Sequence, residues 1–356
     1  MHWTELKSRL LEAGSVNLTG EPADQFIARS AAGPGAGSEG VVFFAMGGHR
    51  VRLAIDPFSP VEIAHRGGGI ADLCLDGNLI AGRLLEPGFH CPDQAYITVT
   101  SSCIFNCRYC TVPRIGGRRK SIDEIVRMVE SVRHRIHAIS ITSGVLETIE
   151  EEESYVLEVV RHLAFFELPI GVSIYPTDKT PDRLHELGVA EVKFNLEAAT
   201  PAIFTAMCPG LEYDHLWQVL DRSVELFGKN HVFSNVILGL GETDAEMAAC
   251  IGELTAHGVI PVIRPLNPVA ELAGFKRPSA ERLKRTLAVH STALQDAGLD
   301  PRLARTMCTN CTGCDLVPGG TNERNSGHCR CPAYLRRHVL RGARVPGDNP
   351  CRSALC

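Results

Sequence analysis

Residues 95–110 read AYITVTSSCIFNCRYC. The run from Ala95 to Thr100 has strand character, and two serines end it. Cys103, Cys107 and Cys110 follow at the spacing C-x3-C-x2-C. Three thiolates on one tight loop can hold three irons of a [4Fe–4S] cluster and leave the fourth iron open. A structural zinc site more often shows paired C-x2-C units and a fourth ligand.

Downstream of this loop, apolar runs alternate with helix-period segments, the signature of a parallel sheet with covering helices. The strands expected are 95–100, 138–142, 170–175, 191–196, 231–238 and 259–264. The clearest helix runs from 122 to about 134. Ser121 and Glu124 are spaced as a capping box at its start, and Ile122, Ile125, Val126, Val129 and Val132 form one apolar stripe. An amphipathic helix over 280–297 closes the series. Six βα repeats predict an α/β fold, a partial (β/α)6 TIM-type barrel over residues 91–298. In such barrels the chemistry sits at the C-terminal ends of the strands.

Residues 1–90 differ. An N-terminal helix is expected, leading to a Gly/Ala/Ser stretch over 31–40 and then to strand-like runs at 41–45, 49–55, 61–65 and 80–84. Gly pairs, Asp-Gly and Pro separate them as turn signals. This is a small β-rich extension. Residues 299–356 have little periodicity and form a cysteine-rich tail that needs a metal to hold it together.

Of the 356 residues, 44% are apolar and 22% charged, a globular composition. No run is long and apolar enough to span a membrane, and no secretory signal is read, so a cytoplasmic location is expected. The net charge of -5 argues against the whole chain binding nucleic acid. Residues 301–356 nevertheless carry nine Arg and no Lys against three acids, a net +6, so the first 300 sum to -11. That imbalance suggests an anionic partner or a solvated Arg-rich surface.

Of the fourteen cysteines, three lie in 103–110 and seven in 308–356. Such clustering points to metal or Fe–S ligation rather than to a disulfide scaffold. Cys308, Cys311 and Cys314 give C-x2-C-x2-C, with Cys329 and Cys331 beyond them. Four thiolates could bind a complete auxiliary [4Fe–4S] cluster, with one of the last two as the fourth ligand, and zinc is the competitor. Cys351 and Cys356 belong to another site or to the tail. Cys208 and Cys250 fall in helical segments and read as packed thiols. His134, His137, His162 and His185 show no ligand spacing.

The triplet, with Tyr109 before its last cysteine, resembles the radical S-adenosylmethionine (SAM) superfamily, over roughly residues 95–298. The resemblance implies that the open iron is chelated by SAM. Electron transfer into the sulfonium then yields a 5′-deoxyadenosyl radical that abstracts hydrogen from an unactivated C–H bond. It also implies SAM contacts at Tyr109, at Ser143 and Gly144 after the second strand, at Asn195 and Glu197 after the fourth, and at Leu238 and Gly239 after the fifth. Val145 stands where that family has an acidic residue.

FNLEAAT (194–200), CPGLEYDHLWQVLDRSVELFG (208–228) and NVILGLGET (235–243) resemble the biotin synthase and lipoyl synthase branch, which inserts sulfur into an acyl chain. The match is incomplete. Ser234 and Asn235 stand where biotin synthase has a strand cysteine, and the N-terminal region offers only Cys74 and Cys91. Archaeal-type lipoyl synthase, a pair of radical SAM proteins acting together, is the nearest picture. The loop with Arg114, Arg118, Arg119 and Lys120 also resembles methylthiotransferases.

The resemblance implies two [4Fe–4S] clusters and SAM as cofactors. As partners it implies an acylated carrier domain or an anionic small molecule, an electron donor such as ferredoxin or flavodoxin, and a second radical SAM protein. Methylthiolation, methylation and cofactor assembly are the other reactions open to this scaffold. A non-catalytic zinc-binding interaction protein is the alternative of another class.

Overall fold

The structure is a computed structural model and describes residues 2–29, 40–316 and 318. Cys329, Cys331, Cys351 and Cys356 lie outside the described residues, as does most of the 31–40 stretch and most of the basic tail.

The chain opens with α1 (Trp3–Ala13), which buries Leu6, Leu10 and Leu11 and ends on Gly14 in the left-handed conformation. Six strands follow: β1 (Ser15–Gly20), β2 (Val41–Met46), β3 (His49–Ile55), β4 (Glu62–His65), β5 (Ile70–Leu75) and β6 (Asn78–Leu85). They close into a barrel in the order β1-β3-β2-β6-β5-β4. Two tight hairpins set its register. Gly47–Gly48 joins β2 to β3 and Asp76–Gly77 joins β5 to β6, all four residues at positive φ, the backbone that matches strand twist.

The second sheet begins with the two-residue β7 (His90–Cys91), antiparallel to β8 (Gln94–Thr98). Next come α2 (Ile122–Val132), β9 (Ala138–Thr142), α3 (Ile149–Leu163), β10 (Ile170–Ser173), α4 (Thr180–Glu186) and β11 (Glu191–Lys193). They are followed by α5 (Pro201–Met207), α6 (Tyr213–Phe227), β12 (Val232–Leu238), α7 (Asp244–Ala256), β13 (Ile260–Pro265), α8 (Ala280–Ala297) and α9 (Met307–Cys311). Strands β8 to β13 are parallel and lie side by side in chain order. They form the curled half-barrel that the βα rhythm predicts.

Each expected barrel strand is present, and the helix over 280–297 has those bounds. The helix from Ile122 stops at Val132 and tightens into a 3-10 turn over Arg133–Arg135. Only half of its expected capping box forms. Ser121 accepts from the Glu124 amide at 3.2 Å, but the Glu124 carboxylate pairs with Arg118 at 2.8 Å instead of turning back. A complete box occurs at α7, between Thr243 and Glu246. No described helix is long and apolar enough to cross a membrane.

Candidate active site

The triplet loop leaves β8 and is pinned on both sides. Ile104 donates to the Val145 carbonyl at 2.8 Å, and the Val145 amide donates to the Cys103 sulfur at 3.5 Å. This approach requires Gly144, where a Cβ would lie 2.2 Å from the Ser102 carbonyl oxygen. Ser143 accepts from the Thr100 amide at 2.9 Å and donates to Glu152 at 2.6 Å. Glu152 is buried and also takes Arg119 at 2.8 Å. On the other side Arg114 donates to the carbonyls of Cys110 (2.6 Å) and Cys107 (3.3 Å) and pairs with Glu271. Arg118 and Lys120 are also engaged locally, with Glu124 and with the Thr98 carbonyl. The basic residues after the triplet thus brace its loop.

Burial pushes the Cys103 thiol up and that of Cys110 to about 12, while a hydrogen bond from Cys208 draws Cys107 below the ordinary thiol value. The Cys208 sulfur also lies 3.5 Å from the Tyr109 hydroxyl. Cys208 is packed, as expected, but beside the triplet. It follows the short helix α5, and nothing in its sequence spacing marks that position.

Glu197 sits at φ 61, a left-handed backbone that is rare for a side chain of this size. It is fixed there by its amide on the Asn235 carbonyl and its carbonyl on the Ile237 amide, both at 2.8 Å. Burial raises the pKa of its carboxyl, against the lowering pull of Lys193, Arg264 and the neighbouring Asn195 and Tyr109 side chains. Three residues singled out for SAM contact therefore meet at one place.

The triplet, Tyr109, Ser143, Gly144, Asn195 and Glu197 all line one cavity of about 320 Å³ at the C-terminal ends of the strands. Leu238 and Gly239 do not. Leu238 is buried in the core, and the Gly239 amide is bound by Glu242 at 2.7 Å. Ile237 and Leu266 occupy that wall of the cavity.

The tail supplies the floor. Residues 306–316 enter the half-barrel from the N-terminal ends of the strands and are buried throughout. Glu191 receives the Arg305 and Thr306 amides (2.6 and 2.8 Å), Ser140 receives the Met307 amide at 2.9 Å, and Gln94 donates to the Met307 carbonyl at 3.1 Å. His137 holds Asn310 at 3.1 Å. Gly171 leaves room for the segment, since a Cβ there would meet Thr306 Oγ1 at 2.1 Å. Cys308 thereby lines the same cavity as the triplet. Its sulfur accepts from Arg264 at 2.6 Å and from Lys193 at 3.5 Å, with the Tyr96 hydroxyl at 3.8 Å. Among the described residues, no three thiol, imidazole or carboxylate groups converge as a mononuclear ion requires.

Residues 97–254 match the radical SAM superfamily model. Several lipoyl synthases are similar. That of Pelodictyon phaeoclathratiforme is 23% identical over 233 residues, 56% of this chain and 77% of that protein. That of Acidothermus cellulolyticus is 28% identical over 189 residues, 49% of this chain and 56% of that one. That of Nocardioides sp. is 32% identical over 187 residues, 49% of this chain and 58% of that one. The chain thus spans little more than half the length of several of these relatives. Among solved structures, the FeFe-hydrogenase maturase HydG from Carboxydothermus hydrogenoformans aligns with a TM-score of 0.49 at 20% identity, covering 57% of this chain and 51% of that one.

Residues 97–254 are therefore a radical SAM domain. In sequence the chain is lipoyl synthase-like. Radical SAM proteins carry a [4Fe–4S] cluster and bind SAM, and the three thiols of one loop, facing one cavity, are a donor set that fits such a cluster.

Proposed function

We propose that this protein inserts sulfur into unactivated C–H bonds of an acyl chain, an octanoyl group on a carrier protein being the substrate class favoured. The observation that carries this reading is that Cys308, the first of the C-x2-C-x2-C set, faces the same cavity as Cys103, Cys107 and Cys110. A sulfur source on the floor and a radical source at the rim would share one substrate space. When bound, the rim cluster and SAM supply the hydrogen-abstracting radical.

The chain's own residues do the rest. Arg114 holds the rim loop through its carbonyls. Tyr109, Asn195 and Glu197 form the polar wall proposed for SAM, together with the Ser143–Gly144 backbone. Ile174, Leu211, Leu216 and Ile237 give the cavity an apolar side, which suits an alkyl chain. Arg264 and Lys193 hold the Cys308 sulfur in place.

The test is anaerobic reconstitution with iron and sulfide, then incubation with SAM, a reductant and an octanoylated carrier domain, with mass spectrometry of the carrier. Added sulfur supports the reading. SAM cleavage with an unaltered carrier rejects this substrate class, and zinc uptake without iron rejects the radical chemistry.

A further inference from the structure

The tail triplet has three thiols, and a complete four-thiolate site needs one more. Spacing alone points to Cys329 or Cys331, but the fold brings a different cysteine to the floor. Cys91, in β7, is buried beside Cys311, close enough for each thiol to shift the other's pKa. The two sulfurs share a small apolar shell with Phe43, Leu85 and Tyr96. Cys91 is held there by the β7–β8 turn, where its carbonyl accepts from the Gly88 amide at 2.8 Å. The opposing segment is held as firmly: the Gly313 carbonyl accepts from the Arg52 amide at 2.8 Å, and a Cβ on Gly313 would meet Phe43 at 2.6 Å.

A second, independent observation concerns charge. Lys7, Arg50, Arg52 and Lys193 are buried around these cysteines, and Arg264 is half-buried. Among the described residues, the carboxylates within electrostatic reach of them are Asp93, Asp315 and Glu197, so five cations face three anions. Arg50 is matched by Asp93 at 2.9 Å. Arg52 is 3% exposed, stands within electrostatic reach of Cys314, and has three guanidinium nitrogens with no hydrogen-bond partner. Arg264 Nε is buried and also without one. Desolvated guanidinium groups are strongly unfavourable unless an anion meets them. In a four-thiolate [4Fe–4S] cluster the thiolates and sulfides together outweigh the iron charge, so the cluster is anionic.

We infer that Cys91, Cys308, Cys311 and Cys314 form a complete [4Fe–4S] ligand set on the cavity floor, with Arg52 and Arg264 as its counter-charges. The fourth ligand comes from the start of the second sheet and not from Cys329 or Cys331. This inference rests on the second-cluster reading above and goes further by naming the whole site.

The test compares full-length variants reconstituted anaerobically, read by iron and sulfide content and by Mössbauer spectroscopy. The unaltered chain should bind about eight irons, two clusters of four. Cys91→Ala and the near-isosteric Cys91→Ser should bind about four and still cleave SAM, which also reports their folding. The double variant Cys329→Ala/Cys331→Ala should keep about eight, and this arm does not depend on how Cys91 variants fold. If the double variant falls to about four, or the Cys91 variants keep about eight while Cys308→Ala falls to four, the fourth ligand lies elsewhere and the inference is overturned. If Cys308→Ala also keeps about eight, the second cluster itself is misplaced and the reading beneath the inference fails with it.

Discussion

Arg264 and Cys308 meet on the floor of the half-barrel, the guanidinium donating to the sulfur over 2.6 Å. A fixed cation against a proposed cluster ligand would favour the more negative redox state, by the same Coulomb logic that shifts a pKa. Arg264→Met should therefore lower the reduction potential of the proposed floor cluster, and Arg264→Lys should lower it less. An EPR-monitored redox titration reads the shift. Equal potentials in all three proteins would show that Arg264 does not sense the cluster.

At the rim, Cys103→Ala, Cys107→Ala and Cys110→Ala should each abolish 5′-deoxyadenosine formation, because three ligands on one loop leave no spare. Chromatography of the quenched reaction checks this. Near-normal yield from any one of them would remove the triplet from the radical step.

Two glycine substitutions should separate rim from floor. Gly144→Ala drives a methyl into the Ser102 carbonyl beside Cys103, and Gly171→Ala drives one into Thr306 Oγ1. Thr306 cannot swing away easily, since its hydroxyl is bound to Glu191 at 2.6 Å. Each should cost about 1–3 kcal/mol, as overpacking does. Gly144→Ala should lose SAM cleavage. Gly171→Ala should keep it but lose about four irons, the content of one cluster. Identical losses in both variants would mean the two ends of the cavity are not independent.

Glu197 combines a strained backbone with a carboxyl in the proposed SAM wall. Glu197→Gly relieves the strain and removes the carboxyl. It should raise thermal stability relative to Glu197→Ala yet weaken SAM binding about tenfold, the loss of roughly 1.4 kcal/mol of charge-assisted hydrogen bonding. Calorimetric titration with SAM decides, and wild-type affinity in Glu197→Gly would leave the residue a purely structural role.

His290, on α8, is buried with neither ring nitrogen hydrogen-bonded. Burial lowers its pKa from 6.5 to about 3. Between those values the unfolded chain takes up a proton that the folded chain refuses, so stability falls as pH drops from 6.5 towards 3. The slope is up to ~1.4 kcal/mol per pH unit. His290→Leu should flatten the acid limb of a Tm–pH curve. An unchanged slope would assign that limb to other groups.

The half-barrel was legible because its strands are apolar runs at a regular βα spacing, and the rim cysteines because their spacing is local. Strands β1 and β5 were not foreseen. Ser15–Gly20 directly follows the helix cap and pairs in parallel with β3 and β4, partners chosen by barrel closure and not by a hairpin signal. Ile70–Leu75 carries Asp72 and Ala71 in a pattern too mixed to read as a strand. At the floor, the tail cysteines announced themselves by spacing, but their neighbourhood did not. Cys91 stands more than two hundred residues from Cys311 in sequence, and no periodicity links them. Lys193, Arg264 and Tyr96 likewise read as ordinary strand residues until the sheet curls and turns them inward.

The buried Lys7 ammonium donates to the carbonyl of Thr312, a contact that spans 305 residues of chain. That thread makes the floor one of the most non-local parts of the fold. Neighbouring βα units make contacts that are local in sequence, whereas the floor joins residues far apart in the chain, the kind of contact that loop-closure entropy makes slow to form. In the proposed two-cluster protein, the floor site would be complete only once the tail segment has brought Cys308, Cys311 and Cys314 to the sheet, so its iron content would report whether the two ends of the chain have met.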